Sequence, residues 1–277
     1  MGKVLLFGLS GNPPTGPEGH GGIVEYFVRL ERFEEIWVIP VYRHMFSAKR
    51  EAMEATGSPT YGDRVEMCRL TFEKHSTAAC KVTVKRTEED LFMEKLKKLP
   101  PGDSPQRLRV TSIDMVQYLR ARHPNEEARR FRRCFYFLVG TDTYQDLRMG
   151  KWRKSQELMD MVKFVVVDRL GVRRESVEPL KGTVFYSPPM ITDISSTKVR
   201  NASVPELLQW PSAVDEQVLR YMSQKHLYGF GRQSWLERSL LEVSRLASTG
   251  WILGAASFLG TLGVVVWYSR RLGGQAS

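Results

Sequence analysis

The chain has 277 residues, a net charge of +10 and three cysteines. The length allows one large domain or one domain with appendages. The positive charge is typical of proteins with anionic partners such as nucleotides, nucleic acid or an acidic membrane surface, and a solvated basic surface is the equal alternative. The cysteines are widely spaced, which excludes a C-x-x-C zinc motif and a disulfide framework and fits a reducing compartment. They are Cys68, Cys80 and Cys134.

Short apolar runs alternate with amphipathic stretches through the first 229 residues. The runs predict buried strands at 4–9, 35–42, 81–87, 133–140, 161–169 and 183–188. The amphipathic stretches predict helices at 20–33, from about 61, at 111–123 and within 204–229. Strands that alternate with helices predict an α/β fold with a doubly wound parallel sheet flanked by helices. Such sheets bind ligands at the carboxyl ends of their strands.

A Gly/Pro-rich loop, GLSGNPPTGPEGHGG at residues 8–22, follows the first predicted strand. Its glycines allow tight turns and let a ligand approach the backbone closely. A helix that begins near Gly19 would direct unpaired N–H groups and the positive end of its dipole at the loop, which suits a phosphate. His20, at the start of this helix, would stabilise charge on that phosphate. An ordinary turn is the alternative interpretation.

A second polar motif, TDISSTKVR at residues 192–200, follows the last predicted strand. Consecutive hydroxyls before a helix cap its N–H groups. With Lys198 and Arg200 behind them, the same hydroxyls also predict a second phosphate cradle. The two motifs follow the first and the last strand, so we expect them to face each other across the sheet.

A C-terminal segment at 251–268, WILGAASFLGTLGVVVWY, carries no charged residue. About 18–20 apolar residues span a bilayer as a helix, and aromatic rings suit the lipid–water boundaries at its ends. We therefore predict a transmembrane helix at 250–269 rather than a buried core helix. Insertion after translation would leave the main domain in the cytosol, anchored to the endoplasmic reticulum or the mitochondrial outer membrane. Gly250 and Gly254 have a spacing that lets helices pair, so a homo-oligomer is left open.

The motifs NPPT…GH and ISSTKVR resemble those of the HxGH nucleotidyltransferase superfamily, and most closely the nicotinamide/nicotinate mononucleotide adenylyltransferases. Further segments match in order: VIPVYRHMFSAKREA, YGDRVEMCRL, TSIDMVQYLRARHP and FLVGTDTYQDLRMGKWRKSQEL. The resemblance implies a Rossmann-like fold and a catalytic domain at 1–229. A linker at 230–249, the membrane helix at 250–269 and a short basic tail at 270–277 would follow.

The resemblance also implies an activity and a set of site residues. The enzyme would transfer the adenylyl group of ATP, accompanied by Mg²⁺, to nicotinamide or nicotinate mononucleotide, without a dedicated metal cage in the protein. The implied ATP-binding residues are Gly8, Ser10, Asn12, Thr15, His20, Gly140, Asp142, Ser195, Ser196, Thr197 and Arg200. The implied acceptor-binding residues are Lys49, Met115 and Trp152. Catalysis would rest on His20, Arg200 and Lys49. The corresponding structural alternatives are a packing role for Trp152, a solvated charge for Lys49 and a helix cap for Asp142.

Three features depart from the family pattern. The loop between Thr15 and His20 is about two residues longer, and Glu18 adds negative charge near the expected phosphates unless it turns to solvent or Mg²⁺. Met115 stands where the family often has Thr. Three hypotheses therefore stay open: the adenylyltransferase, the same chemistry on another phosphorylated acceptor, and a catalytically weak membrane-tethered nucleotide-binding scaffold. Nucleic-acid binding is not expected, since the basic residues form no run interleaved with aromatics.

Overall fold

A computed structural model of the protein describes residues 2–44, 51, 58–123, 134–168, 179–189 and 191–230. Lys49 and the predicted membrane segment at 250–269 lie outside the described residues, so the roles given to them stay predictions. Within those ranges, no helix has the length and apolar character that crossing a bilayer requires.

The described residues form one six-stranded sheet in which all paired strands are parallel. The strand order is β3-β2-β1-β4-β5-β6. The strands are β1 Lys3–Leu9, β2 Glu35–Pro40, β3 Lys81–Val84, β4 Cys134–Gly140, β5 Lys163–Val167 and β6 Val184–Tyr186. In register, Leu6 of β1 lies beside Trp37 of β2 and Phe137 of β4. The predicted parallel sheet and its strands are confirmed.

Helices connect these strands. In chain order they are α1 His20–Arg29, α2 Tyr61–Phe72, α3 Thr87–Lys97, α4 Ser112–Arg122, α5 Thr141–Arg148, α6 Ser155–Met161, α7 Ser196–Asn201, α8 Val204–Gln209 and α9 Glu216–Gln224. Helix α1 ends before residue 33, the predicted end, and Glu31 just beyond it has a left-handed φ of 49°. Sequence analysis missed α3, α5 and α6, in which charged and polar residues obscure the apolar period.

The apolar side chains of the sheet alternate between two cores. On one face, Val4 and Leu6 of β1 pack in a cluster with Ile113 of α4. On the other face, Leu5 and Phe7 pack in a cluster that includes α1 and α2. Burial on both faces explains why the strands read as continuous apolar runs. A third cluster joins α7, α8 and α9 to Met67 of α2.

The chain reverses its direction of winding at β1. From β1 it proceeds to β2 and β3 on one side, and the later strands β4, β5 and β6 build the other side. A crevice therefore opens between the carboxyl ends of β1 and β4, which is where open α/β sheets bind ligands. Both the Gly/Pro loop and the Gly140 end of β4 lie at this crevice.

Candidate active site

The Gly/Pro loop at 8–22 holds His20 in a defined orientation. The backbone N–H of Thr15 donates to Nδ1 of His20 at 3.1 Å, and the His20 N–H donates to the Thr15 hydroxyl at 2.8 Å. A backbone N–H can only donate, so Nδ1 is an acceptor and a neutral imidazole carries its proton on Nε2. Thr15 is 1% exposed. Its side chain therefore orients His20, and the contact with a triphosphate that the resemblance implied for Thr15 stays a prediction.

The two polar motifs meet, as predicted. The Ser196 hydroxyl donates to the Pro13 carbonyl at 2.7 Å. The Arg200 guanidinium donates through Nη1 to the Asn12 carbonyl at 2.5 Å and through Nη2 to the Thr197 hydroxyl at 3.0 Å. These contacts place one edge of the 192–200 turn directly on the Gly/Pro loop.

Two predicted phosphate ligands have structural partners in this arrangement. The Ser195 hydroxyl accepts from the Lys198 N–H at 3.3 Å and so caps α7. The side-chain oxygen of Asn12 accepts from the Tyr228 hydroxyl at 2.5 Å, and Asn12 is only 6% exposed. The Asn12 side chain therefore ties the loop to the last described segment, and its contact with ATP stays a prediction. Its backbone carbonyl is the atom that meets Arg200.

The longer loop between Thr15 and His20 turns toward residues 210–213, which precede α9. The Gly16 N–H donates to the Ala213 carbonyl at 2.9 Å. The Glu18 carboxylate accepts from the Ser212 hydroxyl at 2.5 Å and from the Trp210 indole N–H at 3.1 Å. The hydrogen bond from Ser212 is the main cause that holds the pKa of Glu18 below its usual value. Hydrogen bonds from protein donors, Thr192 included, thus compensate the charge of Glu18.

Two glycines line the crevice between β1 and β4. A Cβ added at Gly8 would meet no protein atom within 4 Å. A Cβ added at Gly140 would lie 2.8 Å from Oδ1 of Asp142, in the first turn of α5. The Asp142 carboxylate therefore lies directly over the end of β4, where a larger residue at position 140 would displace it. This position is compatible with the predicted contact to a ribose.

Of the predicted acceptor-binding residues, the structure describes Met115 and Trp152, and both pack in the same core cluster. Met115 is 2% exposed and belongs to the core between α4 and the sheet. Its side chain continues the apolar stripe of α4, which gives it a packing role in the core, and its contact with an acceptor stays a prediction. Trp152 is half-buried and packs nearly perpendicular to Phe137, with ring centroids 6.3 Å apart. One part of its surface packs in the core, and the other is exposed.

Arg64 of α2 is a polar anchor that sequence analysis did not single out. Its guanidinium donates to the carbonyls of Ser10, Val41 and Tyr42 at 2.8, 2.6 and 3.1 Å. It is 3% exposed, and burial lowers the pKa of its guanidinium. Arg64 fixes the chain where it leaves β1 and β2, and so fixes the start of the Gly/Pro loop. The sequence feature that could have identified Arg64 is its position next to Val65, on the buried face of an amphipathic helix.

Glu88 of α3 lies in the same polar region. Its carboxylate accepts from the Tyr42 N–H at 2.9 Å. Burial raises the pKa of Glu88 to about 7, although that N–H and the Arg64 charge both act in the opposite direction. Glu88 and Arg64 together hold residue 42, just after β2.

Over the described ranges, the structure shows no group of three or more His, Cys, Asp or Glu residues able to hold a metal ion. The arrangement instead offers an imidazole N–H donor, a guanidinium, hydroxyls and a glycine-lined crevice. These groups suit an anionic ligand whose negative charge they can neutralise.

Comparison with known proteins identifies a family model and a set of relatives. The model described as cytidylyltransferase-like matches residues 18–202. A probable nicotinate-nucleotide adenylyltransferase from Anaeromyxobacter dehalogenans is 27% identical over 226 residues, covering 82% of this chain and 96% of the relative. One from Geobacillus kaustophilus is 26% identical over 229 residues, covering 83% and 87%. The nicotinate-nucleotide adenylyltransferase of Bacillus subtilis is 23% identical over 228 residues, covering 82% and 99%.

Solved structures share the fold. The nicotinic acid mononucleotide adenylyltransferase of Plasmodium falciparum, in complexes with APC and with NaAD, superposes with a TM-score of 0.58. The sequence identity is 15%, and the match covers 84% of this chain and 100% of the other. At this identity the likeness concerns the architecture of the sheet and its helices.

Proposed function

Because the chain belongs to the cytidylyltransferase-like family, we propose that it transfers the adenylyl group of ATP to nicotinate mononucleotide and releases pyrophosphate. The observation that carries this proposal is the contact between the His20 loop and the 192–200 turn, through Ser196 and Pro13, beside the crevice at β1 and β4. The relatives named as nicotinate-nucleotide adenylyltransferases support the reaction and the choice of acceptor.

The proposed reaction needs no covalent enzyme intermediate. A phosphate oxygen of the acceptor attacks the α-phosphorus of ATP and forms a new P–O bond. The bond from the α-phosphorus to the bridging oxygen breaks, and its electron pair leaves with pyrophosphate. Mg²⁺ carried with the triphosphate of ATP would supply part of the charge neutralisation on the leaving group. The protein contributes position and additional neutralising charge.

In this mechanism His20 acts on the α-phosphate. Thr15 occupies Nδ1 and so presents Nε2 as the donor. The Nε2–H donates to a non-bridging oxygen as negative charge develops there. Ser195, Ser196 and Arg200 lie on the side of the leaving pyrophosphate, and Asp142 accepts from the ATP ribose. Trp152 stacks on the pyridine ring with its exposed surface, and Lys49 meets the acceptor phosphate.

Pyrophosphate release with ATP and a panel of acceptors tests the proposal. We expect turnover with nicotinate mononucleotide and an adenylylated product whose mass equals the sum of the substrates less pyrophosphate. Turnover only with another phosphorylated acceptor would retain the mechanism and change the substrate. Nucleotide binding without pyrophosphate release from any acceptor would favour the scaffold hypothesis and refute the proposal.

We also propose that residues 250–269 anchor the catalytic domain to an intracellular membrane. The uncharged stretch at 251–268, its terminal aromatic residues and the following Arg270 and Arg271 support this proposal. The catalytic domain would then face the cytosol from the endoplasmic reticulum or the mitochondrial outer membrane. Self-association through Gly250 and Gly254 stays a prediction.

A further inference from the structure

We propose that Glu18, in the lengthened part of the loop, is a positioning residue that holds the 192–200 turn against the His20 loop. This inference rests on the proposed adenylyl transfer. It assigns a purpose to the additional loop residues that distinguish this chain from the family pattern. Glu18 would act through Thr192 and the segment at 210–213, not by touching a substrate.

The side chain of Glu18 joins two separate segments. Its Oε2 accepts from the Thr192 hydroxyl at 3.3 Å and from the Trp210 indole N–H at 3.1 Å. Its Oε1 accepts from the Ser212 hydroxyl at 2.5 Å. These three donors are neutral and come from the turn and from the segment that precedes α9. A charged acceptor strengthens each of these hydrogen bonds relative to a neutral one.

The backbone of Glu18 reinforces the same connection. Its carbonyl accepts from the Thr192 N–H at 3.0 Å, and its N–H donates to the Ser212 carbonyl at 3.3 Å. Thr192 and Ser212 are therefore each bonded by both the side chain and the backbone of Glu18. This pairing defines the position of the loop relative to both segments.

A short relay runs from Glu18 to the predicted phosphate-binding turn. The Thr192 hydroxyl donates to Glu18 and accepts from the Ile194 N–H at 3.4 Å. Ile194 directly precedes Ser195 and packs against the loop, since a Cβ at Gly19 would lie 2.8 Å from its side chain. On the loop side, Glu18 is two residues before His20. Glu18 therefore controls the separation between His20 and the turn.

The carboxylate contacts argue against Mg²⁺ coordination by Glu18. Both oxygens already accept from protein donors. A metal ion would have to displace at least one of these hydrogen bonds. A positioning role and a metal-binding role therefore predict different effects of an amide at this position.

The test compares E18A, E18Q, T192V and E18A/T192V with the parent and with E66A, an exposed change on α2. Steady-state pyrophosphate release gives kcat and KM for each substrate and the Mg²⁺ dependence. We expect E18A to lower kcat about 10-fold with little change in KM for the acceptor. E18Q should stay within about 3-fold of the parent, because its amide oxygen can accept from Trp210 and Thr192 and its NH₂ can donate to Ser212.

The Thr192 variants test the relay. T192V should lower kcat in the same direction as E18A but less, and the double variant should be no worse than E18A, because the two residues act as one unit. Additive losses would overturn the relay. If E18A matches the parent, the inference is wrong. Equal damage by E18A and E18Q with a raised Mg²⁺ requirement would replace it with metal coordination.

Binding of a non-hydrolysable ATP analogue, measured by calorimetry, separates this inference from the proposed reaction. We expect E18A to weaken analogue binding about 10-fold and E18Q to leave it nearly unchanged. This pattern in a parent that turns over no acceptor would refute the proposed function and retain the positioning role. If the parent is active but E18A binds the analogue as tightly as the parent does, the positioning role alone is refuted. If E18A does not fold, T192V supplies the same comparison.

Discussion

Thr15 and His20 form two backbone-to-side-chain hydrogen bonds that select one tautomer of the imidazole. If the Nε2–H stabilises the transition state, His20→Ala should lower kcat about 10² to 10³-fold while the free energy of unfolding changes little. His75→Ala is the matched control, because His75 lies in the connection from α2 to β3, before the start of a strand, whereas His20 follows the end of β1. Steady-state kinetics and thermal denaturation measure both effects. A His20→Ala enzyme with parental turnover would remove His20 from the mechanism.

Glu88 predicts a pH dependence of stability. Burial raises its folded-state pKa to about 7 from 4.5, so the folded protein retains a proton that the unfolded chain has lost between those values. The contribution of this proton to the free energy of unfolding is complete below pH 4.5 and is lost as the pH rises through 7. Glu88→Gln removes this loss. Between pH 5 and pH 8, we expect the unfolding free energy of the variant minus that of the parent to increase by about 1–2 kcal/mol. Partial solvation of Glu88 makes this increase smaller than the pKa shift alone would give. Chemical denaturation across this range measures it, and parallel curves would contradict it.

Individual site residues were predictable from the sequence where a motif and its geometry agree. Ser196 and Arg200 lie against the His20 loop, as their motif implied. Thr15, Asn12 and Met115 were assigned to ligands, and in the structure they make contacts within the protein that the sequence did not predict. Sequence spacing gives the location of such residues along the chain and not the direction of their side chains. Those directions depend on partners such as Tyr228, which is remote in sequence.

The junction between the Gly/Pro loop and α1 depends on glycines in close contact with backbone. A Cβ at Gly22 would lie 1.8 Å from the Pro17 carbonyl, so Gly22→Ala should destabilise the protein by about 2–3 kcal/mol or more. Gly62→Ala is the matched control in α2, where the nearest atom to the new Cβ is 3.6 Å away. That change should stabilise by about 0.5–1 kcal/mol. Denaturation curves of both variants measure the two changes in unfolding free energy. Equal changes in the two variants would contradict this prediction.

Helices were predictable where a cap and an apolar stripe coincide. Thr111 and Asp114 form a capping box at the start of α4, the start that the sequence predicted. Helix α3 has no such cap, and its first turn consists of acidic residues that do not mark an apolar period. Helices α5 and α6 have 8 and 7 residues, which is too short for a clear period. Packing of Tyr144 and Leu158 against the sheet stabilises them instead.

The proposed membrane anchor predicts how the whole protein distributes in cells. The full chain should sediment with membranes and resist extraction by high salt or alkaline carbonate, because burial in lipid does not depend on charge. A chain truncated after residue 230 should be recovered in the supernatant with its turnover intact, since the described sheet and its cores end by that point. A full-length chain that salt extracts would contradict the anchor. Loss of turnover on truncation would contradict an independent catalytic domain.

The Ser196–Pro13 hydrogen bond joins positions 183 residues apart. At about 5–20 residues per second, a ribosome needs roughly 10–40 s to synthesise the intervening chain. The Gly/Pro loop therefore lacks its contact with the 192–200 turn until translation of the domain is nearly complete. If the two motifs bind ATP as proposed, nascent chains that end before residue 196 lack half of the site, and ATP stabilises only chains that extend past it.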